Sequence, residues 1–388
     1  MRFMILLVAA LHLPCCAPKA EVGSMHMEQR GASPLLNDVD LRISPSVDTA
    51  SAANHDAIAC LRRFFSNKMM KDGLTDCWYA PDTEQYGGVY SELLYAEYDS
   101  IGDLRYQPEL MRIREQDGQR YLDVEWRSDD DGATPRYGFG FLLRSTPDGP
   151  RLALPIEENT KQWEHRTMGP ITYIVSPKHR FREDQALEQL RVVERLLAFF
   201  EVPVFPIRFY TFTAPADLYT AKGYTYHPLM HTIASGGMVD GTGNVYSGND
   251  KDIYVHEVVH LFAHRRFPDA PGLLHEGLAT LIGGSVGHDY DWHRANMERY
   301  LASDPTIDLR DRCNTYVRDY IYTDTSVPYM IGALLCEHIL RADGREGIFK
   351  VMAAGGDPWP ALVAYHITPD TLTGLLRAEL RLPKIVVP

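Results

Sequence analysis

His256-Glu257-Val258-Val259-His260 sets two histidines four residues apart with a glutamate beside the first, and no other stretch is as well placed to do chemistry. On a helix, positions four apart lie above one another on one face. The two imidazoles can therefore close on a single zinc ion. Glu257 borders that face, where its carboxylate can reach a water held on the ion. Zinc lowers the pKa of such a water to about 7, so Glu257 can take its proton at neutral pH. This is the physical content of the HExxH spacing, and it points to metal-assisted hydrolysis.

An ordinary amphipathic helix could carry the same letters with its polar residues in solvent. Here Ile253, Tyr254, Val255, Val258, Val259, Leu261 and Phe262 make the segment apolar almost all round, the pattern of a buried helix. Buried polar groups without partners cost about 1–3 kcal/mol each, and a shared metal supplies a partner. A catalytic zinc usually takes three protein ligands and keeps one position for water. Phe267-Pro268-Asp269-Ala270-Pro271-Gly272 breaks the first helix, and the apolar segment Leu273–Ile282 opens a second. Glu276, early on that second helix, is the leading third ligand. His275 competes with it but points about 100 degrees away, so one of the two faces the metal; His275 is given a structural role. Asp250 and Asp252 precede the first helix and are expected to cap its N-terminus.

With these residues the chain resembles the gluzincin zinc metallopeptidases, the peptidase MA-like group. Leu273-Leu274-His275-Glu276-Gly277-Leu278-Ala279-Thr280 is similar to their second-helix pattern, in which Glu-Gly and a small residue carry the third ligand. Downstream, Tyr329-Met330-Ile331-Gly332-Ala333, then Leu340, Gly344 and Phe349, is similar to the stretch that follows the catalytic tyrosine of zinc aminopeptidases. The resemblance implies that Tyr329 donates its phenol hydrogen to the oxyanion of the tetrahedral intermediate. A phenol with pKa near 10 remains a donor at working pH. It also implies that an edge strand at Gly236, Gly237 and Met238 binds the substrate backbone. Val239 and Asp240 stand where the aminopeptidase signature has Glu and Asn, so the acid that grips a free amino terminus is missing. Gly241–Asn244 followed by Val245-Tyr246 reads equally well as a plain hairpin turn and strand.

The elements that must position these residues suggest an α+β chain of two domains. A helix is expected from Ala52 to about Met70, with Ile58, Leu61, Phe64 and Phe65 on one side. Strands are expected at Gly88–Tyr98, Leu110–Glu115, Gln119–Arg127 and Tyr137–Ser145, with Asp129-Asp130-Asp131-Gly132 as a hairpin loop. One helix followed by a curved antiparallel sheet resembles a cystatin or NTF2-like cone, implying a non-catalytic domain over 51–165. A boundary falls near Thr160–Gly169. Beyond it, strands at Ile171–Val175 and Ile207–Phe212 and helices at Arg182–Phe200 and Pro215–Lys222 precede the metal helix. After Glu276 the pattern turns helical, at about 290–303, 328–342, 345–354 and 369–380. By resemblance, residues 166–384 form a two-lobed zincin domain with the metal between its lobes.

Of 388 residues, 45% are hydrophobic and 23% charged, ordinary proportions for a globular protein. A net charge of −13 with no basic stripe argues against a nucleic-acid partner. Arg2, the apolar run Met4–Leu13 and Pro14-Cys15-Cys16-Ala17 read as an export signal, too short to span a bilayer. Cysteines after such a run resemble the lipid-attachment site of bacterial lipoproteins, so a membrane is expected as a partner only through a lipid on Cys16 or Cys15. Simple secretion is the alternative. Residues 1–16 are then signal, and 17–50, rich in Pro, Ser, Ala and Gly, a flexible tether. Export would put Cys60, Cys77, Cys313 and Cys336 in an oxidising setting, where Cys60 and Cys77 could form one bridge. Cys336, in an apolar helix, is expected as a buried thiol.

The expectation is an exported zinc peptidase acting on a peptide or protein substrate. Its parts are His256, His260 and Glu276 on zinc, Glu257 as general base and Tyr329 as oxyanion donor. Two other readings stay open: a cell-envelope binding protein that kept the fold without turnover, and a zinc hydrolase of a non-peptide cell-wall amide.

Overall fold

A computed structural model describes residues 39–70, 74–99, 103–128 and 135–387. The signal segment, Cys15, Cys16, most of the expected tether and the Asp129–Gly132 loop lie outside the described residues. The chain is mixed α+β with open sheets.

It begins with β1 (Arg42–Ile43), α1 (Ala52–Asn67), α2 (Ala80–Tyr86) and α3 (Ser91–Leu94). Four strands follow: β2 (Gln107–Gln116), β3 (Gln119–Arg127), β4 (Tyr137–Thr146) and β5 (Gly149–Ala153). Next come α4 (Ile156–Thr160), β6 (Glu164–Met168), β7 (Ile171–Val175), α5 (Glu183–Phe200) and β8 (Ile207–Thr211). Then α6 (Pro215–Lys222) and β9 (Tyr224–Tyr226) lead to the hairpin of β10 (Gly237–Val239) and β11 (Asn244–Ser247). The helices α7 (Val255–Arg266), α8 (Gly272–Gly283) and α9 (Tyr290–Ser303) come next. A small hairpin, β12 (Tyr320–Ile321) and β13 (Thr325–Ser326), precedes α10 (Val327–Met352), α11 (Trp359–Leu362) and α12 (Pro369–Glu379).

The described residues fall into two compact units, one of 39–164 with 212–234 and one of 165–211 with 235–387. The excursion 212–234 departs from the sequence expectation, which kept everything after 166 together. Its cause is visible in the pairing: β9 runs antiparallel to the start of β4, Phe139 opposite Tyr224, where β5 does not reach.

The first unit is an antiparallel meander, β2-β3-β4-β5, with β1 added parallel to β2. Alternation along β3 and β4 sends Leu122, Val124, Trp126, Phe139 and Phe141 into a core shared with Phe64 and Phe65 of α1. Two expectations fail here. Gly88–Tyr98 is not a strand: Val89, Tyr90, Leu93, Ala96 and Glu97 are buried at helical spacing, and Ser91–Leu94 makes a short turn of helix. Nor is 39–50 all tether, since Leu41 and Val47 are buried beside β1. Lys68 and Glu97 form a fully buried ion pair at 2.6 Å, with Trp126 Nε1 donating to Glu97 and Lys68 also donating to the Leu93 carbonyl. Cys60 and Cys77 are buried and do not form the bridge their spacing allowed; their Sγ atoms donate to backbone carbonyls instead.

In the second unit a five-stranded sheet runs β10-β11-β8-β7-β6, parallel among β11, β8 and β7 and antiparallel at β10. Helices α7, α8 and α10 are apolar almost all round and fill the core with α5. α10 breaks at Gly344, whose φ of 60° and ψ of −154° no helix accommodates. Among the described residues no helix is long and apolar enough to cross a membrane.

Candidate metal centre

The first turn of α7 carries His256 and Glu257, and the second carries His260. All three are buried, as the apolar surroundings required. The side-chain nitrogens are aimed by their other ring atoms. His256 Nδ1 lies 2.6 Å from the Gly284 carbonyl, which can only accept, so Nδ1 carries the hydrogen and Nε2 presents its lone pair. Gly284 follows α8 with φ 69° and ψ −169°, and a Cβ there would lie 2.0 Å from the His288 carbonyl oxygen, so no other residue fits.

Glu276, in the first turn and a half of α8, brings its Oε2 to 3.4 Å from both His256 Nε2 and His260 Nε2. The two Nε2 atoms are 3.0 Å apart. A tetrahedral zinc with bonds of about 2.0–2.1 Å holds its ligand atoms roughly 3.3 Å from one another. The triangle of two nitrogens and one oxygen is therefore sized for such an ion, and this buried group could hold a metal. Glu276 Oε2 accepts no well-formed hydrogen bond among the described residues, which is what a ligand atom needs. Burial alone would raise the Glu276 carboxyl, but the imidazoles of His260 and His256 hold it far below its ordinary range.

Glu257 Oε2 is buried and likewise has no hydrogen-bond partner among the described residues. Tyr329, in the first turn of α10, lies with its ring 6.3 Å from that of His256 and 16° from parallel. Burial first, and then Glu276, Tyr320 and Glu257 around it, push its phenol well above the ordinary value, so it stays a hydrogen donor. Tyr320 of β12 is therefore a neighbour of the centre that the sequence did not mark. Its own phenol is raised by burial, opposed by Arg318 and reinforced by Glu276.

Gly237 and Met238 lie on β10, at the edge of the sheet; Gly236 immediately precedes it. The hairpin reading and the edge-strand reading thus describe the same segment. Asp240 does not stand free as a substitute acid. Its carboxylate accepts from the Thr242 amide and hydroxyl, the Asn244 amide and side chain, and Tyr246 OH, at 2.7–3.1 Å.

Asp250 and Asp252 do not cap α7, whose N-cap is Tyr254 without a side-chain bond. Both hold His179, which lies between β7 and α5: Asp250 Oδ1 is 2.8 Å from its Nδ1 and Asp252 3.0 Å from its Nε2. Asp252 also accepts the Arg182 amide at 2.7 Å. Gln189 of α5 accepts the Tyr254 amide at 2.7 Å, so the lead into α7 is tied to α5. The sequence carries no local sign of this, because His179 stands some seventy residues before its partners.

His275 is buried, with Nδ1 3.2 Å from His260 Nδ1, and burial followed by His260 lowers it to about 3. A scan against models of known protein families finds no match, and a search of the curated proteins finds none either.

Proposed function

We propose that this chain is a zinc-dependent hydrolase of peptide bonds, of gluzincin kind and exported to the cell envelope. The observation that carries the reading is the convergence of His256 Nε2, His260 Nε2 and Glu276 Oε2 in one buried triangle, with Glu257, next to His256 in sequence, keeping a buried Oε2 that has no hydrogen-bond partner among the described residues. Two imidazoles and a carboxylate are a donor set that suits zinc. A zinc ion bound there would supply Lewis acidity for a carbonyl and for water.

The chain's own residues do the rest. Glu257, with a lone-pair-bearing oxygen free of other bonds, takes the proton of the attacking water and delivers it to the leaving nitrogen. Tyr329, kept protonated by its surroundings, donates its hydroxyl hydrogen to the oxygen that becomes negatively charged. β10 is the edge strand of its sheet, the position at which an extended peptide would add as a further strand. Asp240 is fully engaged by its own turn, which leaves no acid at that position to hold a free amino terminus and favours internal bonds over amino-terminal ones.

Profiling a peptide library with the parent and Glu257→Gln tests this reading. The parent is expected to cleave with zinc present, and the variant to cleave roughly 10²–10⁴-fold more slowly. A variant as fast as the parent would remove Glu257 from the mechanism, and a parent that binds zinc yet cleaves no peptide would leave the cell-wall amide or the inert binding reading.

A further inference from the structure

The contact between His260 and His275 can be made in two ways. Their Nδ1 atoms are 3.2 Å apart, and the rings are 5.4 Å apart and 24° from parallel. A neutral imidazole has one N–H, so at this distance one Nδ1 donates and the other accepts. If His275 donates, His260 carries its hydrogen on Nε2 and can give it to His256 Nε2, 3.0 Å away. That acceptor is available because His256 Nδ1 donates to Gly284. If His260 donates instead, its Nε2 turns a lone pair toward Glu276 and His256, and the hydrogen of His275 sits on Nε2. Both arrangements hold the same number of protons. Each ring only moves its single hydrogen from one nitrogen to the other. Only the second lets His260 hold a cation.

We propose that His275 is the positioning residue of the metal centre, donating to His260 Nδ1 without a cation and accepting from it with one, so that the His260 ring keeps its orientation in both states. The inference rests on the metal-binding reading above. His275 is suited to this double role by what surrounds it. Its Nε2 is buried and makes no hydrogen bond among the described residues, so no hydrogen bond on that side holds it in one tautomer. A carbonyl in its place could only accept and an ammonium only donate, whereas imidazole does either. It also neighbours Glu276 in sequence, so one turn of α8 supplies both a ligand and the group that orients another ligand. Partners of this kind hold metal-bound histidines in their ligating tautomer, and their loss typically weakens binding by about 10–100-fold.

The test uses the full chain with ¹⁵N-labelled histidine, stripped of metal and then titrated with zinc. Two-bond proton–nitrogen correlation spectra are expected to show His275 passing from the Nδ1–H to the Nε2–H tautomer as zinc is added. In parallel, chelator competition measures zinc affinity. His275→Phe, which keeps a ring but no acceptor, is expected to bind about 10–100-fold more weakly. His275→Asn, whose side-chain oxygen can accept, is expected to recover most of that loss. A His275 tautomer that stays the same across the titration, or a Phe variant that binds as tightly as the parent, overturns the proposal. If the Phe variant does not fold, the spectra of the parent and the Asn variant decide. A parent that binds no zinc would sink this inference together with the metal reading, whereas a zinc-binding parent with an unchanged His275 sinks this inference alone.

Discussion

Gly277 and Gly332 meet backbone to backbone where α8 crosses α10. A Cβ on Gly277 would lie 2.1 Å from the carbonyl carbon of Gly332, and one on Gly332 would lie 2.1 Å from the Leu273 carbonyl oxygen. The crossing sits one residue after Glu276 and three after Tyr329, so it sets how closely the Glu276 carboxylate and the Tyr329 phenol approach. The obstruction is main chain, which no rotamer change can clear. Gly277→Ala is therefore expected to lower stability by about 1–3 kcal/mol through overpacking and to weaken zinc binding at the same time. Denaturant unfolding alongside chelator competition checks both. An alanine variant with unchanged stability would show that the helices can part freely.

Tyr329→Phe keeps the ring beside His256 and removes only the hydroxyl. If the hydroxyl donates to the developing oxyanion, kcat falls by roughly 10²–10³ while zinc affinity is unchanged. Steady-state kinetics with zinc titration separates this from a packing role, in which kcat would be little altered.

The His179 latch should give stability a pH dependence. Burial lowers His179, but hydrogen bonds and charge from Asp252 and Asp250 more than reverse it, so its folded pKa stands above 6.5. A raised histidine stabilises fully below its unfolded value and loses that contribution as pH rises through the folded value. Asp250 is lowered from 3.8, first by the Arg182 hydrogen bond, so its contribution is present above 3.8 and is lost as pH falls. Arg182 stays charged throughout. The latch is therefore expected to be strongest between about 3.8 and 6.5 and to weaken above. His179→Gln should flatten the high-pH side of a stability–pH curve measured by urea unfolding. Parallel curves for variant and parent would dismiss the latch.

Much of this was legible in advance. β3, β7 and α6 fall where residue pattern and turn signals put them, and the break of α10 at Gly344 separates the two helices expected at 328–342 and 345–354. The spacing of His256 and His260 and the apolar character of their helix located a buried pair. Other features depend on partners far along the chain. Nothing near Asp250 or Asp252 points to His179, and nothing near Tyr224 points to β4. The run Val89–Glu97 fits strand and helix periods alike, and only the buried Lys68 opposite Glu97 shows which wins. Tyr320 could have been noticed as an aromatic just before Tyr329, but its place beside Glu276 follows from the β12–β13 hairpin.

The first unit offers a separate test of stability. Lys68→Met would leave the Glu97 carboxylate buried without its cation, at a cost of about 3–5 kcal/mol. The loss should be larger than for a double replacement of Lys68 and Glu97 by apolar residues of similar volume. Unfolding curves of single and double variants decide it, and equal losses would mean that the pair is not desolvated as its burial indicates.

The most direct measurement is metal content of the purified full chain by mass spectrometry, beside His260→Ala and Glu276→Gln. Close to one zinc per chain is expected for the parent, with both variants losing most of it after dialysis. A parent without stoichiometric metal, or a Glu276→Gln variant that keeps zinc as firmly as the parent, would contradict a centre built from these three side chains.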